Sequence, residues 1–233
     1  MKKLFKLLTI TLTVIMSLCV LFACTPATDS SGNGNSSSGG TQDSSNVDPT
    51  PIDPVDYVSQ LKLDMNSSTA KIKTTVKIYI DGDTTHFNVP DSVVKGGVLK
   101  ARYLAINTPE STGKVEPYGK VASDFTKTKL QSATSIIVES DDENSTGSRY
   151  LVWVWYRTSE TAEYRNLNLE ILQNGLCIGN STLQNRYGTT CMAALNQAKA
   201  LKLYVHSGEQ DPTFYYGEAI PMTLKELRVS VED

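Results

Sequence analysis

The stretch from Lys71 to Val89 constrains the fold more than any other part of the chain. Apolar residues alternate along KIKTTVKIYI at Ile72, Val76, Ile78 and Ile80, Asp81-Gly82-Asp83 interrupts, and THFNV resumes. A strand, an Asp-Gly and a second strand predict an antiparallel hairpin. VLKARYLAI (Val98–Ile106) reads as a third strand, ended by Asn107-Thr108-Pro109-Glu110. Pro109 has no N–H for a ladder and holds Thr108 extended. SIIVES (Ser135–Ser140) and RYLVWVWY (Arg149–Tyr156) supply a fourth and a fifth, on either side of the acidic loop DDENSTGS. Helical patterns fill the rest. Tyr118–Gln131 carries Val121, Ala122 and Phe125 on one face. Asn166–Gly175 sets Leu169 and Leu172 in register before a glycine stop. Cys191–Leu203 spaces Met192, Leu195, Ala198 and Leu201 at near-helical intervals. Five strands, with one helix after the third and two at the end, predict an α+β fold: a five-stranded OB-type β-barrel with three packed helices.

The N-terminal part has a different character. Lys2, Lys3 and Lys6 precede an uncharged apolar run from Leu7 to Phe22, which reads as a secretory signal peptide over residues 1–23. Leu21-Phe22-Ala23-Cys24 resembles a bacterial lipobox, which implies lipidation at Cys24 and a protein anchored outside the cytoplasm to a bacterial membrane. Residues 24–55 are rich in Ser, Gly, Asn, Asp and Pro, and read as a flexible tether. Residues 56–207 would form one domain, expected as a monomer, followed by an extension over residues 208–233 with no assigned role. Phe214, Tyr215 and Tyr216 in that extension read as tail packing rather than as base stacking.

Net charge does not advertise a polyanion partner. The chain carries 22 basic and 25 acidic residues; without the three signal lysines the balance is 19 against 25, a net of −6. A nucleic-acid substrate would therefore need a local positive site or a metal. Cys177 and Cys191 remain in the domain, either as a disulfide outside the membrane or as two buried thiols.

A few polar residues break the strand logic. Asp83 lies just past the hairpin turn, Asn107 and Glu110 at the end of the third strand, Arg102 within it and Arg149 at the start of the fifth. Taken singly they are a turn, a terminator and edge charges. Together they offer oxygen ligands (Asp83, Asn107), a carboxylate for water (Glu110) and two guanidinium forks, which is the set that phosphodiester hydrolysis requires.

IDGDT (Ile80–Thr84), Arg102 with INTPE (Ile106–Glu110), YGKVASDFTK (Tyr118–Lys127) and GSRYLVWVW (Gly147–Trp155) follow one another as the landmarks of the staphylococcal nuclease (thermonuclease) family do. NLNLEILQNGL and LNQAKALKLYVHS resemble its last two helices. The resemblance covers roughly residues 72–207. It implies an OB-fold endonuclease that hydrolyses DNA and RNA with Ca²⁺ and leaves 3′-phosphate ends. It further implies Asp83 and Asn107 as side-chain ligands of the metal, Thr108 as a ligand through its backbone carbonyl, and Asp81 as an acid supporting them. Glu110 resembles the base that positions water, and Arg102 and Arg149 the pair that grips the phosphate.

Three departures from the family pattern stand out. The family's Asp-Thr-Pro-Glu is Asn107-Thr108-Pro109-Glu110 here, a ligand without charge. Thr146-Gly147-Ser148 replaces Lys-Tyr-Gly before the second arginine, and a substrate-holding tyrosine is replaced near Ser181. Asp141–Asn144 adds negative charge to a loop near the expected substrate. The expectation is an active nuclease with weakened metal and substrate binding. The alternatives are a catalytically weak or inactive OB-fold nucleic-acid-binding module, or an envelope adaptor lipoprotein.

Overall fold

The computed structural model of the chain describes residues 53–141 and 149–216. The signal, most of the tether with Cys24, the Thr146-Gly147-Ser148 step, most of the acidic loop and residues 217–233 lie outside the described residues. The strands are β1 (Lys71–Tyr79), β2 (Thr84–Asn88), β3 (Val98–Tyr103), β4 (Ile106–Asn107), β5 (Ser135–Ser140), β6 (Tyr150–Arg157), β7 (Arg165–Asn166) and β8 (Ile178–Gly179). The helices are the single turn α1 (Tyr57–Gln60), α2 (Gly119–Gln131), α3 (Leu167–Gln173) and α4 (Gly188–Ala200). The main sheet runs β3-β2-β1-β5-β6-β7, and a parallel pairing of β3 with β6 closes its first five strands into a barrel. Closure removes the exposed edges that an open sheet of this size would carry. The expected α+β barrel with three packed helices is the fold observed.

β6 is the spine. Val152, Trp153, Val154, Trp155 and Tyr156 are all buried, because β6 pairs with β5 on one side and β3 on the other while α3 packs against it. The two indoles need partners once buried. Trp155 Nε1–H donates to the fully buried Glu139 (2.9 Å), and Trp153 Nε1–H to Asp141 (2.8 Å). The ring of Tyr187 meets both indoles edge-on, and its hydroxyl also donates to Glu139.

Two strand readings need correction. The alternation in β1 does not persist, because a bulge between Val76 and Ile78 shifts the register and leaves Ile78 46% exposed. The expected hairpin forms, and close packing requires Gly82 in its turn. A Cβ there would lie 2.8 Å from Thr108 Cγ2 and 2.9 Å from Ala122 Cβ. The Gly82 carbonyl also accepts a hydrogen bond from Thr126 of α2 (2.6 Å). The hairpin turn is thus seated on a helix.

The second correction matters most. The predicted strand Val98–Ile106 breaks after Tyr103. Ala105 has φ 70°, and Ile106–Asn107 leave the barrel to pair with β8. Buried groups outcompete ladder continuation at this point. Leu104 N–H donates to Val152 O (2.9 Å), and Ala105 O accepts from Asn180 N–H (3.0 Å) and the Thr182 hydroxyl (2.8 Å). Asn168, fully buried on α3, donates to both Leu104 O and Val152 O (3.0 Å each) and accepts from Val154 N–H (2.9 Å). An apolar alternation cannot reveal this break, because the competing partner is polar and 64 residues away.

Asn168→Ala should cost roughly 2–5 kcal/mol in urea unfolding, since it orphans Leu104 O and Val154 N–H inside the core. A loss under about 0.5 kcal/mol would show that the break at Tyr103 is held by other groups.

Candidate active site

Asp83 is the centre. Its side chain is completely buried, and its bonds tie β3 and the residue after β4 to the hairpin turn. Oδ1 accepts from the Arg102 guanidinium and the Thr84 hydroxyl (3.0 Å), and Oδ2 accepts from Thr108 N–H (2.8 Å). Its backbone carbonyl accepts from Tyr103 N–H (2.8 Å). Asp81, 6% exposed, accepts from Asp83 N–H (3.3 Å) and so shapes the turn. Burial raises the Asp83 carboxyl to about 6; Arg102 and Thr108 pull it down without cancelling that penalty, and Asp81 adds to it.

Asn107 lies five residues after Arg102, an odd spacing that on an unbroken strand would put the two side chains on opposite faces. The break at Leu104–Ala105 folds β4 back, so that the second terminal nitrogen of Arg102 donates to Asn107 Oδ1. The guanidinium, with 17% of its side chain exposed, therefore bridges Asp83 and Asn107. Thr108, the third expected metal ligand, is buried beside them with its N–H committed to Asp83.

Glu110 is solvent-exposed at the start of a loop closed on itself. Its N–H donates to Glu116 Oε2 (3.0 Å), and its carbonyl accepts from Glu116 N–H (2.8 Å). Arg149 is exposed at the mouth of β6. Parallel pairing sets Arg102 opposite Leu151, and Arg149 lies two residues before Leu151 on the same face of the sheet, about 7 Å along the strand. The two arginines are thus neighbours across the β3–β6 seam that closes the barrel.

Residues 100–205 match the family model described as staphylococcal nuclease homologue. Residues 100–205 thus carry a staphylococcal nuclease homologue domain. No curated protein matches the chain. The nuclease-family match takes in Arg102, Asn107, Thr108, Glu110 and Arg149; the hairpin with Asp81 and Asp83 lies before it, and the tail after residue 205 lies beyond it.

Among the described residues, no three His, Cys, Asp or Glu side chains converge as a metal site. The oxygens of Asp83 and Asn107 nevertheless converge on one positive group, the guanidinium. Hard oxygen donors around a positive point suit Ca²⁺ in kind, with a single formal side-chain charge between them. An ion at that point and the Arg102 guanidinium exclude each other, so these residues fit calcium only when Arg102 turns away. Ser181, where a tyrosine was expected, is exposed and left-handed (φ 48°) ahead of a short helical turn. Cys177 and Cys191 are both buried free thiols, and burial pushes Cys191 up to about 12. Sequence reasoning missed Asn168, which sets the geometry between Arg102 and Asn107. Its only signal is a polar residue inside the apolar run LNLEIL.

Arg102→Met should cost about 3–5 kcal/mol in alkaline solution by denaturant unfolding, because there it leaves a buried carboxylate without its counter-charge. The variant's Asp83 would titrate higher than in the parent. A carboxyl raised above its unfolded value of 3.8 contributes stability that is present below that value and lost as pH rises through the folded one. The deficit should therefore be smallest below about pH 6, where the Asp83 carboxyl is protonated with or without Arg102, and should grow as pH rises above that value. A deficit independent of pH would place its origin in packing rather than charge.

Proposed function

We propose that the domain is a calcium-dependent phosphodiester hydrolase, an endonuclease acting on DNA and RNA that leaves 3′-phosphate ends. The observation that carries the reading is the pair of arginines on one face of the β3–β6 seam, with the exposed Glu110 carboxylate on the loop that leaves the same broken strand. Arg149 and Arg102 present forks that match two phosphate oxygens, where negative charge grows in the transition state. Glu110 orients a water and takes its proton as the water oxygen attacks phosphorus and the bond to the 5′-oxygen breaks. Asp83, Asn107 and the Thr108 carbonyl would hold calcium, which when bound adds positive charge against the phosphate oxygens. Arg102 is shared between two tasks. Bonded to Asp83 and Asn107 it neutralises the buried carboxylate; released, it can reach a phosphate. Cation and phosphate would thus favour each other's binding, each lowering the cost of moving Arg102.

The same bridge supports the second reading, a nucleic-acid-binding or envelope-adaptor domain with little or no hydrolysis, in which Arg102 stays locked. Digestion of denatured DNA by the chain, with calcium or with chelator, separates the two. Fragments should form with calcium and vanish with chelator. Glu110→Gln and Arg149→Ala should each lower the rate about 10²–10³-fold, and Arg149→Lys should fail to restore it. Calorimetry should show Asn107→Asp tightening calcium about ten- to a hundred-fold, in line with roughly 1–3 kcal/mol from one added charge. Cleavage by the variants at the parent rate would remove these residues from the chemistry.

The N-terminal pattern supports a lipid anchor at Cys24 that would hold the enzyme at the outer face of a bacterial membrane. One acyl chain is marginal, so stable anchoring needs more than one. Cys24→Ser should move the protein from the membrane fraction to the soluble fraction; an unchanged distribution would count against the anchor.

A further inference from the structure

The residues that follow the family match touch the loop that presents Glu110. Asp211 is 2% exposed, and its carboxylate is fully engaged: Oδ2 accepts from Tyr118 N–H (2.6 Å), and Oδ1 from the Thr213 N–H (2.8 Å) and hydroxyl (2.7 Å). Asp211 N–H donates to the Tyr216 hydroxyl (2.8 Å), and the rings of Phe214 and Tyr216 meet edge-on at 4.8 Å. Tyr215 alone of the three aromatics does not pack, at 66% exposed. Burial opposes the charge on Asp211, yet the hydrogen bonds from Thr213 and Tyr118 outweigh it and hold the carboxyl below its usual range.

The residue that Asp211 grips is strained. Tyr118 sits at φ 64°, ψ 0°, as the cap of α2 with no side-chain hydrogen bond to the helix. A non-glycine residue keeps that conformation only when its surroundings over-determine it. Here they do. Besides the bond to Asp211, the Tyr118 hydroxyl donates to Glu209 O (3.1 Å), and its ring meets Tyr204 edge-on at 6.0 Å. All three restraints come from residues 204–211.

The strain sits one residue from the Glu110 backbone. A Cβ on Gly119 would lie 2.1 Å from Glu110 O, so the start of α2 rests directly on the peptide that carries the candidate base. Gly119 N–H donates to Glu116 O (3.0 Å), Glu116 N–H to Glu110 O (2.8 Å) and Glu110 N–H to Glu116 Oε2 (3.0 Å). A continuous chain of contacts runs from Asp211 through Tyr118 and Gly119 to Glu110.

We infer that residues 208–216 form a clamp in which Asp211 is a positioning residue for Glu110. It fixes Tyr118 in its left-handed conformation and thereby the loop that presents the carboxylate to water. The catalytic consequence rests on the nuclease reading above; the clamp itself does not. Hydrogen exchange across residues 110–119 and hydrolysis of denatured DNA with calcium, on the parent chain, Asp211→Ala and Asp211→Asn, test it. Asp211→Ala should speed exchange in that loop about ten- to a hundred-fold while the barrel strands stay protected. It should lower kcat about ten-fold or more with KM nearly unchanged, because misplacement of about 1 Å is costly in rate. Asp211→Asn keeps an acceptor for Tyr118 N–H and should recover most of both. Parent-like exchange in Asp211→Ala would overturn the clamp. Faster exchange throughout the barrel, or local loosening with kcat unchanged, would overturn the positioning role. A parent that cuts nothing sinks the nuclease reading, and the exchange comparison then decides the clamp without substrate.

Discussion

A fully buried carboxylate in a hairpin turn is the interaction on which the rest of the site depends. Asp83 collects the end of β3 through Tyr103 N–H and the Arg102 side chain, and the residue after β4 through Thr108 N–H. Burying a charge is costly unless it is paired and hydrogen-bonded. The structure meets that cost with one guanidinium, one hydroxyl and one amide, and the residual penalty shows in the raised carboxyl. Because these partners lie on β3 and just after β4, the turn, the broken strand and the Glu110 loop are fixed relative to one another by a single residue. Removing the charge would relax all of them together, and that coupling is what a preorganised electrostatic site needs.

The guanidinium bridge also sets how Asn107 should be understood. An aspartate there would give Arg102 two anionic partners and leave the centre with a net negative charge. With asparagine the bridge is closer to neutral, and Arg102 satisfies the site without an added ion. The strand break is what makes this arrangement reachable. On a continuous strand Asn107 would point away from Arg102, so its side-chain chemistry and the fold of residues 104–105 belong to one design. Asn168 connects that design to the core, since it holds the carbonyl of Leu104 from inside α3.

The barrel was legible because its signals are local. Period-2 alternation, an Asp-Gly turn and helical spacing gave the five barrel strands and three helices, with α4 starting three residues earlier than its apolar pattern at Gly188. The order of motifs was enough to bring Arg102, Glu110, Arg149 and Asp83 into one discussion before any contact was known. Local patterns failed where a distant polar group decides. The bulge after Val76, the break after Tyr103 and the packing role of Gly82 all depend on partners on other elements, and alternation counts apolar residues only. The internal contacts of Arg102 were hidden for the same reason: its two acceptors, on Asp83 and Asn107, lie on other segments.

The tail shows the limit most clearly. Residues 208–216 have no amphipathic period and little apolar content apart from Phe214, Tyr215 and Tyr216, so the sequence suggested only that these aromatics pack the tail, not what they pack against. What anchors them is a backbone N–H that the helix cannot use. The first amides of any helix lack intrahelical acceptors, and an acidic side chain at that end gains from the helix dipole as well as from the hydrogen bond. Tyr118 offers such a donor in a conformation that an L-residue adopts at a cost, and Asp211, 93 residues later, accepts it. Neither residue signals the other in sequence. The pairing becomes visible only when the strained dihedral and the buried carboxylate are seen to share one hydrogen bond. The strain at Tyr118 then has a physical function: it seats Gly119 against the Glu110 carbonyl, where any side chain would push the loop away.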